Sequence, residues 1–161
     1  MKLRSLLGVV LLLTWGLGSC SAPRAASAGA ESRVGSWIQQ RRFRFSADRA
    51  VPIGFPSRYL DPGYYLDLRT DTVLADLPYF GRAYTAPLDP SGGGLRFRST
   101  RFGFQSRPDR HGWLLLFHFS DQSLGVQQAT LQVSPRGSAT LELTSNDRQP
   151  ITFLGHLRQL P

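Results

Sequence analysis

Few side chains in this sequence are equipped for chemistry. Three histidines, one cysteine and 11 acidic residues are spread over 161 positions. His111 falls in a turn, His118 inside an apolar run, and His156 near the C-terminus. No HxH, HExxH or Cys/His cluster links them, so their spacing offers no tetrahedral zinc site. No G-x-S-x-G elbow presents an activated serine. Asp67, Asp71 and Asp76 share one hairpin-like stretch. A pair of them could act as acid and base, but carboxylates at strand ends are ordinarily solvated. Gly92-Gly93-Gly94 leads into a strand-like run rather than a helix, so it is not a phosphate cradle. These residues predict no catalytic group, no metal and no cofactor.

Cys20 points to chemistry of another kind. Lys2 and Arg4 form a positive start, and Leu6 to Leu17 is an apolar run. That run is too short for the roughly 20 residues that cross a hydrocarbon core. It reads as a secretory leader. Leu17-Gly18-Ser19-Cys20 has the pattern of a bacterial lipobox, in which the leader is cut before a cysteine that is then acylated. As the only cysteine, Cys20 has no disulfide partner within the chain. Acylation at Cys20 would hold the mature N-terminus at a bilayer, since stable anchoring takes more than one acyl chain. Ser21, with no acidic run after it, points to an outer-membrane lipoprotein facing the periplasm, with inner-membrane retention and surface export as the alternatives. The expected organisation is a lipoprotein signal peptide over 1–19, a lipid anchor and flexible tether over 20–30, and a single β-domain over 31–161.

The stretch LPYFGRAY, Leu77 to Tyr84, is the most distinctive of the mature part. Pro78 lacks an N–H and disfavours a central strand position. Gly81 can take positive φ and turn the chain. Tyr79, Phe80 and Tyr84 then leave a corner with Arg82 beside them. Two readings stand side by side. In one, the rings plug the end of a β-core and a tyrosine hydroxyl satisfies loop carbonyls. In the other, rings and guanidinium form a platform for a sugar, a lipid headgroup or a peptide. A second segment, NDRQP from Asn146 to Pro150, turns into the last strand. Its Arg148 could pair with Asp76 or Asp147, or bind an anion. Tyr79, Phe80, Arg82, Tyr84, Arg148 and Gln149 are therefore the candidate residues for a ligand or partner.

These residues need a frame, and the hydrophobic period supplies it. Val34, Trp37 and Ile38 have helical spacing and predict a short N-terminal helix. Beyond it the period is two. Phe43 and Phe45, Leu66 and Leu68, Leu95 and Phe97, Leu115 and Phe117, Leu131 and Val133, Leu141 and Leu143, and Ile151 and Phe153 each alternate with other side chains. Asp61-Pro62-Gly63, Asp109-Arg110-His111-Gly112 and Ser134-Pro135-Arg136-Gly137 are turn signals. Connections this short favour antiparallel neighbours. The expected fold is an antiparallel β-sandwich or small β-barrel of about 8–9 strands. Trp113 to Phe119 is apolar on both faces apart from His118, which predicts a central strand covered on both sides.

The formal net charge is +8. The leader takes two of the 19 basic residues, leaving 17 arginines against 11 acids, a net +6. Such a surface is either simply solvated, the preferred reading, or favours anionic partners such as phospholipid or lipopolysaccharide headgroups. No nucleic-acid motif accompanies it.

The lipobox, FRFSADRAVP (Phe43 to Pro52), YYLDLRTDTVLADLPYFGRAYTAPL (Tyr64 to Leu88), GLRFRS (Gly94 to Ser99) and LQVSPRGSATLELTSNDRQPITFLGHL (Leu131 to Leu157) occur in that order. Together they resemble the domain-of-unknown-function family 4251 of Bacteroidetes lipoproteins, over nearly all of residues 33 to 158. The resemblance implies an exported, often lipid-anchored, mostly β protein, and carries over no catalytic residue. The expected function is a non-catalytic binding or scaffolding module in the cell envelope, held at the membrane through acylated Cys20, whose partner is an envelope protein or a small ligand. Two alternatives are a carrier or sensor holding a small apolar ligand in the β-domain interior, and a hydrolase.

Overall fold

In a computed structural model of the chain, residues 33–84 and 93–160 are described. The leader, Cys20 and the tether lie outside them. The first described element is a helix, α1, over 33–39. Val34 and Ile38, one turn apart, are both buried, and Trp37 is partly buried beside them. Gly35 faces the Trp113 ring, where a Cβ would stand in ordinary contact at 3.4 Å. Arg41, at φ 53°, ends the helix in the left-handed region, and its guanidinium lies 5.1 Å from the centre of the Phe104 ring.

Ten strands follow. They are β1 (Arg42–Pro52), β2 (Arg58–Tyr59), β3 (Tyr65–Arg69), β4 (Thr72–Leu77) and β5 (Leu95–Ser99), then β6 (Phe102–Asp109), β7 (Gly112–Phe119), β8 (Val126–Val133), β9 (Ser138–Ser145) and β10 (Ile151–Gln159). All pairings between them are antiparallel. Nine run in the order β5-β4-β3-β1-β10-β9-β8-β7-β6, and β2 adds to β1 beyond the end of β3. Of the two architectures left open by the sequence, the barrel-like one is closer: a single sheet curls into a half-barrel.

The curl gathers the inward positions into one core. Phe43, Phe45, Leu66, Leu68, Leu115, Phe117, Leu131, Leu141 and Phe153 are all fully buried. Every buried residue among those described lies between Val34 and Leu157. Two bulges keep the alternation in phase. Asp48 is the extra residue between the pairs Ala47↔Gly155 and Arg49↔Leu154, and it returns Ala50 and Pro52 to the inside. Gln127 does the same for β8.

The edge strands β5 and β6 are joined by Thr100 and Arg101 but do not pair. Side chains close the gap: Phe97 of β5 meets Phe119 of β7 edge to face at 5.2 Å. Arg96 and Arg98 on β5, and Arg107 and Pro108 on β6, blunt the two edges against pairing with other chains.

The expectation of a doubly covered central strand at Trp113–Phe119 is corrected. β7 lies next to the edge. Leu115 and Phe117 face the core, while Leu114 and Leu116 are half-buried on the outside and His118 is exposed. No second layer covers that face among the described residues. Leu114 sits between Arg107 and Gln132, and Leu116 between Gln105 and Thr130, whose long or branched side chains flank the leucines.

Candidate functional site

The LPYFGRAY and NDRQP segments meet. Ala83 and Arg148 form an isolated antiparallel bridge. The Gln149 amide donates to the Arg82 carbonyl at 3.0 Å, and the Tyr84 amide to the Asp147 carbonyl at 2.8 Å. Tyr79 locks this miniature ladder. Its hydroxyl lies 2.9 Å from the Arg82 carbonyl oxygen and 3.0 Å from that of Gln149, and donates toward both. Burial pushes the Tyr79 phenol above its usual pKa, opposed by the Arg148 guanidinium 5.1 Å from the ring centre. Arg148 also grips Asp147 through Nε at 3.2 Å and Nη2 at 3.0 Å. That contact holds the Asp147 carboxyl below its ordinary range. Of the two carboxylates offered to Arg148 at the sequence level, Asp147 is the partner; Asp76 is bound by Arg96 at 2.8 Å.

Gly81 has a different role from the one its type suggests. Its φ is not positive. The Tyr79 ring folds over it, and a Cβ there would stand 2.5 Å from the Tyr79 hydroxyl oxygen. The glycine is required by space, not by dihedral angle. Tyr79, Arg148 and the Gln149 backbone thus form the inside of a packed corner. Phe80 is half-buried, with the Arg58 guanidinium 5.1 Å from its ring centre. Arg82 and Tyr84 are exposed, Tyr84 at 65 %. The corner is packed within and carries a small polar-aromatic rim.

A second cluster escaped the sequence reading. Asp67, expected to be solvated, is fully buried on the outer face of the sheet. Arg44 reaches it from the directly opposite position on β1, with Nε 2.6 Å from Oδ1 and Nη2 2.8 Å from Oδ2. Arg69 adds a contact at 3.1 Å. The hydrogen bond to Asp67 holds Arg44 even further above its usual pKa, and the same guanidinium stacks over the Tyr65 ring at 4.2 Å. Register was the missing information: Arg44 and Asp67 are 23 residues apart.

The remaining titratable residues are dispersed. His156 donates from Nδ1 to Asp48 at 2.9 Å and accepts from Arg158 at Nε2, the tautomer that this pair of partners requires. His111 and His118 are exposed. The Asp71 carboxylate accepts from the Thr72 hydroxyl at 3.1 Å. Among the described residues no three His, Cys, Asp or Glu side chains converge on a point that could hold a metal.

Residues 25–157 match the family model described as "Domain of unknown function (DUF4251)". The fold is similar to the crystal structure of a DUF4251 family protein from Bacteroides eggerthii DSM 20697, with a TM-score of 0.64 at 15% identity. That likeness covers 85% of this chain and 92% of the other. No curated protein matches the chain.

Proposed function

This chain belongs to the DUF4251 family, and we propose that it is an exported, lipid-anchored envelope protein whose β-domain is a non-catalytic binding or scaffolding module. Cys20 is the anchoring residue, and the outer membrane facing the periplasm is the site of action. The partner is an envelope protein. The observation that carries the reading is the locked corner. Two segments more than 60 residues apart are fixed together by Tyr79 and Arg148. They present Arg82, Tyr84 and the edge of Phe80 to solvent on a rigid base. A rigid rim lowers the ordering cost of binding. The carrier alternative is less favoured, because the inward positions of the half-barrel are taken by Phe43, Phe45, Phe117, Phe153 and leucines that are themselves fully buried.

Three measurements test this. The mass of the mature protein from its own membranes should show an acylated N-terminal Cys20, absent after Cys20→Ala. Native mass spectrometry of residues 31–161, after incubation with envelope extracts, should show no small-molecule adduct. A stoichiometric adduct released on denaturation would overturn the module reading in favour of a carrier. Photo-crosslinking from position 84 should capture one defined envelope protein, and Arg82→Glu should abolish the product. Equal capture from Glu142, on the far half of the sheet, would remove the rim from consideration.

A further inference from the structure

The outer face of the sheet is divided by charge. On β10, β1, β3, β4 and β5 its outward positions carry Arg158, Arg44 and Arg98 in one cross-strand row, Arg42 and Arg69 in a second, and Arg96 in a third. The acids on that area are Asp67, Asp76 and, at the β1 bulge, Asp48, which binds His156. The outward positions of β8 and β9 are Gln128, Thr130, Gln132, Thr140, Glu142 and Thr144, with one charge among them.

The arginine half holds like charges together. Arg42 lies directly opposite Arg69, and Arg44 directly opposite Arg158. Facing like charges destabilise a sheet, so packing alone does not account for this arrangement. Asp67 compensates Arg44 and Arg69. Arg42 and Arg98 are exposed and have no ion pair among the described residues. A guanidinium matches the oxygens of a phosphate in a two-pronged contact.

Past the Asp48 bulge the same face continues through Arg49, stacked on Tyr59 at 4.4 Å. It then reaches the tip after β1, where Ile53 and Phe55 are 54% and 48% exposed and Tyr59 is 81% exposed. Spread cations beside exposed apolar and aromatic side chains are the two components of binding at a membrane interface. An acidic protein would account for the arginines but not for the apolar tip.

We infer that the arginine-bearing outer face of β10, β1, β3, β4 and β5, with the Ile53–Phe55 tip, docks on an anionic lipid bilayer. The inference deepens the module reading and takes only the compartment from it; the test below involves neither Cys20 nor the corner rim.

The experiment is co-sedimentation of residues 31–161 with phosphatidylcholine vesicles, with and without phosphatidylglycerol. Binding should require phosphatidylglycerol and weaken with added salt. Arg42→Gln with Arg98→Gln should weaken it on the order of 25-fold, about fivefold for each arginine. Arg42→Lys with Arg98→Lys keeps the charge but loses the two-pronged contact, and should bind more tightly than the glutamine pair and more weakly than the parent. Phe55→Ser should also weaken it. The control pair Arg107→Gln with Arg136→Gln removes the same charge elsewhere and should leave binding unchanged. Equal loss in the control pair, or equal sedimentation with neutral vesicles, would overturn the proposal. So would binding to soluble polyglutamate with none to vesicles, which would assign the face to an acidic protein.

Discussion

Tyr79 joins two distant segments through one hydroxyl. Tyr79→Phe leaves the ring in place and removes that group. The Arg82 carbonyl keeps its bond from the Gln149 amide, but the Gln149 carbonyl loses its partner. The expected loss is about 1–2 kcal/mol, read as a lower urea midpoint at unchanged slope. Asp67 carries more. Its carboxylate is fully buried and neutralises Arg44, whose side chain is 25% exposed. Asp67→Asn should destabilise the domain on the order of 3 kcal/mol. Arg69→Gln, which loses only one partly exposed contact, should cost less than about 1 kcal/mol. If the two variants unfold at the same midpoint, the central place of Asp67 is wrong. Neither role is visible from residue type. An aspartate amid apolar residues in a strand looks like any solvent-facing position until its opposite number is known.

At the level of elements, β1 and β10 meet at the bulge with almost no space between them. A Cβ at Gly155 would overlap the Ser46 carbonyl oxygen. Gly155→Ala should therefore part the two strands and cost about 3 kcal/mol or more. Faster amide exchange across β1–β10 should accompany that loss while β7–β8 stays protected. The junction between β6 and the short 3₁₀ turn Gln122–Leu124 depends on charge. Asp121 caps that turn by accepting from the Ser123 amide, and Arg101 binds it at 2.9 Å. The Arg101 hydrogen bond, with those from Ser123, lowers the Asp121 pKa from 3.8 to about 2. A depressed folded-state value means that the contribution is complete above pH 3.8 and is lost as pH falls toward 2. Arg101→Gln should reduce the acid sensitivity of stability within that window. An unchanged pH profile would exclude the pair as its source.

Across the whole molecule the excess of arginine is concentrated on one half of one face. Arg42 against Arg69 and Arg44 against Arg158 repel each other, and the single Asp67 carboxylate, bound to Arg44 and Arg69, offsets only part of that. Added salt should therefore raise the melting temperature of residues 31–161, where a domain held mainly by surface ion pairs would lose stability. Scanning calorimetry in sodium chloride, in the absence of phosphate, reads the sign directly. Several features of this molecule were legible locally. Val34 and Ile38 announce the helix, the alternation from Phe43 to Leu157 marks the strands, and the short turns make their neighbours antiparallel. Each follows from side-chain direction along a few residues, which the chain encodes without reference to anything distant. The curl into a half-barrel, the phase changes at Asp48 and Gln127, the burial of Asp67 and the joining of Tyr79 to Gln149 belong to the tertiary structure. All of them depend on which residue lies across the strand, and moving a strand by one position turns each of its side chains to the opposite face. Register is set by the packing of the whole core at once, and no local stretch carries it.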